Sequence, residues 1–329
     1  MELLKKILIF LVIILFFSCD KTNKNNNSQK YKKIDTLLVK ANNDFLDKKI
    51  RLAFADSVSL LLNELENDSL YNYYQFKLAN RYYNIDVLKK YREITLKINQ
   101  KALNNNDTLS IVKCNYYLGD YYYANFKLDS SFYYYKKAEK YISPKIEKNL
   151  IIEIYADIGN ILHHKNNYLE SEKYSIKALK LATEIDNYRY AYESYLVLGL
   201  NQLGLKNYNK ALDYFSKAEN VLSKMSDDTF YPTLKTQVYI DYCNTYMQMG
   251  DYNKMLLFAK KGISIKNFKT IDIKTQTYLK NYFGYAKLLL GDKSSLKEFQ
   301  ETIKIGDSLQ YKPIQNTSNL HLGKYYLFI

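Results

Sequence analysis

The adjacent pair His163 and His164 and the three cysteines are the residues of this 329-residue chain whose types could do chemistry. Neighbouring residues point about 100° apart on a helix, so the two histidines cannot grip one metal ion in the usual i, i+4 manner. No CxxC, HExxH or Cys/His cluster occurs, and no Gly-rich phosphate loop follows a strand pattern. The carboxylates are scattered over polar faces. This inventory predicts no catalytic residue, no metal, no cofactor and no enzyme. Cys114 and Cys243 fall three repeats apart in the register below and are expected to be two free, buried thiols.

Cys19 belongs to a different pattern. Lys5 and Lys6 precede eleven consecutive apolar residues, Ile7 to Phe17, followed by Ser18-Cys19-Asp20. That is the charged, apolar, small-residue order of a signal peptide, and it falls short of the ~20 apolar residues of a spanning helix. Phe16-Phe17-Ser18-Cys19 resembles the lipobox of bacterial lipoproteins, in which cleavage occurs before a Cys whose thiol has received diacylglycerol. Phe16 stands where Leu is commonest and Phe17 where a small residue is usual. The resemblance implies a signal peptide over residues 1–18, lipidation at Cys19, and a membrane-anchored protein of the bacterial cell envelope on its periplasmic or outer-membrane side. Asp20 to Lys32 is polar apart from Tyr31, so residues 19–32 read as the lipidated Cys and a flexible tether.

The elements that follow must be helical. Apolar residues make up 47% of the chain, while 10 Gly and 3 Pro leave little material for a turn-rich β fold. With 36 Tyr and no Trp, tyrosine must do the large aromatic packing, ring buried and hydroxyl at a wet edge. The net charge is +14, or +13 without Glu2, Lys5 and Lys6. Lys is interspersed with Asp, Glu and Asn, which reads as a solvated surface, and export argues against nucleic acid.

A small residue returns at Ala79, Gly119, Gly159, Gly199, Cys243, Gly284 and Gly323, in steps of 40, 40, 40, 44, 41 and 39 residues. Fixed periods of this size mean stacked supersecondary units. The unit Tyr195, Leu198, Gly199, Tyr208, Ala211, Phe215 and Ala218 resembles the tetratricopeptide repeat, and Tyr155, Ile158, Gly159, Leu162, Tyr168, Ser171 and Ala178 give the unit before it. Pro144, Pro232 and Pro313 all fall between units, where they break no helix. Asp129, Asn209, Asn253 and Ser294 share one register position after the intra-unit turn and are expected to cap the second helices. The resemblance implies an all-α fold, a right-handed α-solenoid of stacked helix-turn-helix pairs with a pitch of about 40 residues. An N-terminal capping helix pair is expected over 33–66 and the repeat array over 67–329, its last repeat incomplete at Ile329.

Tetratricopeptide arrays bind extended peptides or partner helices in a groove lined by the first helix of each unit. Carried onto this chain, the resemblance implies a peptide-binding groove with Tyr116, Asp120, Tyr123, Asn160, His163, Asn244, Met247, Asn281 and Tyr285, and with Leu196, Leu200 and Leu203 making its middle apolar. The expected partner is a protein or peptide, with the membrane reached through lipid on Cys19 and neither nucleic acid nor a small molecule bound. The alternative is the sensory part of a longer bacterial signalling protein, a kinase or DNA-binding regulator, truncated at its C-terminus.

Overall fold

The computed structural model describes residues 27–65, 70–266, 268 and 271–328. The signal-peptide stretch and Cys19 lie outside the described residues. Chain contacts form two compact units, residues 1–142 and 143–329. No strand occurs among the described residues.

The first unit begins with α1, helical over 27–41, and α2, Lys48–Asn63. Two pairs follow: α3 (Tyr71–Asn84) with α4 (Leu88–Asn104), and α5 (Thr108–Ala124) with α6 (Leu128–Lys140). Residues 27–32 are therefore helix, where the polar composition suggested tether. Tertiary packing overrides local propensity here. Tyr31 stacks on Tyr74 with ring centroids 4.6 Å apart, and Ile34, three residues on, is fully buried.

The second unit stacks α7 (Lys148–His164) with α8 (Tyr168–Glu184), α9 (Tyr188–Gly204) with α10 (Tyr208–Leu222), α11 (Tyr231–Met249) with α12 (Tyr252–Ile263), and α13 (Ile273–Leu289) with α14 (Leu296–Ser308). A final helix, α15 (Lys312–Phe328), packs on both α13 and α14. Helices of 17 residues recur at α4, α5, α7, α8 and α9, which places the surplus over the common ~34-residue repeat in both helices of a pair.

The small residues sit where the helices come closest. A Cβ added to Gly119 would run into the Tyr135 ring, and one added to Gly199 into Phe215, sixteen residues on in each case. Ser131 and Ser171, each twelve residues after such a glycine, donate across the pair to the carbonyls of Gly119 (2.9 Å) and Gly159 (2.7 Å). A side chain larger than Ser there would hold the second helix away. The proline positions fit as well, with Pro232 in the first turn of α11 and Pro313 in that of α15.

Tyrosine fills the core, but its hydroxyls are not simply at a wet edge. Fully buried Tyr82 donates to Asp56 (2.7 Å), and fully buried Tyr192 donates to the Leu234 carbonyl (2.9 Å). A buried phenol needs an acceptor, and a neighbouring helix supplies it.

Among the described residues, turns after nine helices share one device. The residue after the C-cap, or Gly250 as the C-cap itself, adopts a left-handed conformation, and the next N–H reaches the carbonyl five residues back, as in Lys127 to Tyr122 (2.9 Å) and Asn207 to Gln202 (2.8 Å). The cap residue then stands directly after the left-handed one. Of these, Asp107, Asn187 and Asp251 accept from backbone N–H groups of the following first turn, and Asp272 caps α13 in the same way without a left-handed residue before it. The caps expected at Asp129, Asn209, Asn253 and Ser294 lie two residues too late. Asp129, Asn209 and Asn253 are already inside helices, whose N-caps are Lys127, Asn207 and Asp251, while Ser294 donates its N–H to the capping Asp292 (2.9 Å).

Only two of the nine left-handed residues are glycines, Gly250 and Gly291. Phe126 is the bulkiest of the others, at φ 57° and 92% exposed. Its ring gains nothing from burial while the backbone is strained. Phe126→Gly is expected to stabilise the fold by about 0.5–1 kcal/mol, relief of the left-handed strain outweighing the added freedom of the unfolded chain. A urea midpoint that falls would contradict this.

Candidate functional site

The first helices of the second unit, α7, α9, α11, α13 and α15, pack on one another in succession. Asn160, Leu200 and Asn244 each follow the small residue of their helix by one position and are all partly accessible. They share one register on three consecutive packed helices. Met247, three residues further along α11, is also partly accessible. Leu196 and Leu200 lie against the Tyr192–Phe215–Tyr242 core with one side open, whereas Leu203 is buried.

His163 is held by a different job. Asn201, fully buried on α9, donates through Nδ2 to Ser171 Oγ (2.8 Å), which turns its Oδ1 toward His163 Nδ1 (2.8 Å). Ser171 passes the chain on to the Gly159 carbonyl. His163, Asn201 and Ser171 thus tie three helices together. Burial pushes the His163 pKa below its ordinary value, partly countered by the bond to Asn201. Asn201 was missed in the sequence, although the pair Asn201-Gln202 is the one polar break in the apolar run from Leu196 to Leu205.

Asn281 and Tyr285 do not line an open groove. They are 4% and 6% exposed, covered by α15. Asn281 donates to Ser318 (2.7 Å) and meets His321, whose ring stacks on Tyr285 at 3.8 Å between centroids. Lys324 donates to the Tyr285 hydroxyl at 2.7 Å. The following first helix occupies the face that the register alone assigned to a ligand.

In the first unit, Asp120 accepts from the hydroxyls of Tyr91 (3.2 Å) and Tyr135 (2.6 Å), which draws its carboxylate into the α4–α5–α6 packing. Its nearness contributes to the strongly raised pKa of Tyr91, after burial. Tyr116 lays its ring 5.5 Å from that of Tyr135 and packs against the core. Tyr123 is 38% exposed. Of the three expected groove residues on α5, Tyr123 alone is an exposed side chain.

No group of three or more His, Cys, Asp or Glu able to hold a metal occurs among the described residues. Cys114 and Cys243 are buried and free, and burial raises both thiol pKa values. What the second unit supplies is a layer of first helices with amide and aliphatic side chains in register.

Residues 150–224 match the family model of the tetratricopeptide repeat. This tetratricopeptide segment is the α7–α10 double pair, the part with the clearest small-residue register. No curated protein sequence matches the chain. Among solved structures, the apo form of RapI is similar with a TM-score of 0.68 at 17% identity, covering 91% of this chain and 82% of that one. The Rap conjugation gene regulator of plasmid pLS20, in complex with the Phr* peptide, gives 0.59 at 17% identity over 89% and 80% of the two chains. NprR in complex with its cognate peptide NprX gives 0.59 at 14% identity over 91% and 84%. At these identities the likeness is one of fold. The all-α stacked-pair architecture around the tetratricopeptide segment is the shared feature.

Proposed function

We propose that this chain is an exported, lipid-anchored tetratricopeptide scaffold that binds an extended peptide or partner helix on its first-helix layer and catalyses no reaction. The observation that carries the binding role is the shared, partly accessible register of Asn160, Leu200 and Asn244 on α7, α9 and α11. Amide side chains at such positions can hydrogen-bond a peptide backbone, while Leu200 offers an apolar seat between them. The peptide-bound forms of the pLS20 regulator and NprR, similar in fold, support the same use of this one. Export and anchoring rest on the signal-peptide order and the lipobox resemblance around Cys19.

The binding role is tested with peptides selected from a random library on the purified chain. Asn160→Ala combined with Asn244→Ala is expected to weaken the selected peptides by about 1–3 kcal/mol with helicity and melting temperature unchanged. Undiminished binding would place the interface elsewhere. For the anchor, Cys19→Ala is expected to abolish incorporation of labelled fatty acid in cells, since no thiol remains to receive lipid. Label retained by the variant would refute the assignment.

A further inference from the structure

Within the second unit, a cavity of about 880 Å3 opens between the α10–α11 connection, the first half of α11, and the last turn of α12 with the residues just after it. Ligand pockets for small organic molecules run to ~300–1,000 Å3, so the space exceeds what a single ion needs. Tyr231, Lys235 and Tyr239 line it at i, i+4 and i+8, one face of α11. Lys261 and Lys266 enter from the end of α12.

The charge balance of the lining is positive, three lysines against one carboxylate, Asp228. Asp228 is occupied, accepting the Phe230 N–H at 2.7 Å and lying near the Arg189 guanidinium, whose pKa it helps to raise. Lys235 is half-buried and donates to the Tyr231 hydroxyl at 3.1 Å, leaving further N–H groups. None of the three lysines has a carboxylate partner among the described residues. The 19-residue helix α11 begins at this wall with no side-chain cap and no acidic residue in its first turn. Asp228 stands just before that end and accepts the N–H of the N-cap residue Phe230, so the excess positive charge of the lining comes from the lysines. Tyr231, whose ring has Lys235 Nζ 5.4 Å from its centroid, and Pro232 add apolar surface to the lining.

We propose that this cavity binds a ring-bearing small molecule with a phosphate or sulfate ester, the oxyanion held by Lys235 and Lys266 and the ring laid against Tyr231 and Pro232. The site is independent of the first-helix layer and does not rest on the peptide-binding reading. The shared chemistry is the ester oxyanion. A phosphorylated sugar and a nucleotide are its two sources.

The test is calorimetric titration of the full chain, held in mild detergent at low ionic strength, with glucose 6-phosphate, AMP, glucose, adenosine and sodium phosphate. Saturable binding of glucose 6-phosphate or AMP is expected, about tenfold or more tighter than the matching uncharged compound and competed by phosphate. The two esters compared tell sugar from nucleotide. Lys235→Gln with Lys266→Gln should weaken the bound ester about tenfold at unchanged helicity, and Lys235→Arg should restore much of it. The proposal falls if neither ester saturates up to ~10 mM, well above a weak Kd of ~1 mM. It falls equally if the uncharged compounds bind as well, or if the double Gln variant binds unchanged.

Discussion

Gly199→Phe is expected to destabilise the second unit by several kcal/mol and to loosen the α9–α10 pair outright. Even the smaller change Gly199→Ala is not neutral. A Cβ built there would stand 2.7 Å from Phe215 Cδ1 and closer still to Cε1, and Phe215 is itself fully buried. Alanine gains ~1 kcal/mol of helix propensity over glycine, so its net cost is expected at about 1–2 kcal/mol rather than the full price of the clash. Phenylalanine adds a whole ring to the same gap. The readout is the urea midpoint together with hydrogen exchange in α9 and α10, since a stack of repeats need not unfold in one step. Unchanged unfolding of Gly199→Phe would mean that α9 and α10 do not approach at this glycine.

Asp241→Asn is expected to have the second large effect, with a size that depends on pH. Asp241 on α11 is 5% exposed, its Oδ1 accepts from Gln237 at 3.2 Å, and its Oδ2 has no hydrogen-bond partner among the described residues. The side chains that feel its charge are Tyr192 of α9, Tyr282 of α13 and Cys243 of its own helix, with no cation among them. Burial raises its pKa to about 7. A carboxyl whose folded pKa exceeds its unfolded value contributes stability in full below pH ~4, and loses it as pH rises through about 7. Ionised Asp241 should therefore cost the fold about 2–4 kcal/mol by pH 9. Asn keeps an acceptor for Gln237 without the charge. The variant should match the wild type only near pH 4 and below, gain on it as pH rises toward about 7, and be clearly more stable at pH 9. Parallel stability curves from pH 4 to 9 would show that Asp241 does not titrate in this window.

How much of this was legible in the sequence depends on how far each feature reaches. Gly119 with Tyr135 and Gly199 with Phe215 announce themselves because both partners lie within one helical pair and recur at the same separation. The capping residues were displaced by two because the left-handed residue is mostly not glycine, so nothing in Phe126 or Lys206 marks the turn. The helical state of residues 27–32 depends on Tyr74, some forty residues away, which no local propensity records. The same distance hid the fate of Asn281 and Tyr285, since their cover, Ser318, His321 and Lys324, comes from the next first helix. A repeat register names the face of a helix. Whether that face meets solvent or its neighbour is set by side chains one repeat away, as the pairing of His163 with Asn201 also shows.

The central claim is that a partner is held on the first-helix layer, and site-specific photo-cross-linking in cells tests it most directly. A photoreactive phenylalanine analogue replaces Leu200 on α9 or, as the control, Ile176, which is 49% exposed on the second helix α8. A discrete protein or peptide adduct is expected from Leu200, diminished when Asn160 and Asn244 are both changed to alanine, and none from Ile176. Adducts from Ile176 alone, or adducts from Leu200 indifferent to the two asparagines, would contradict it.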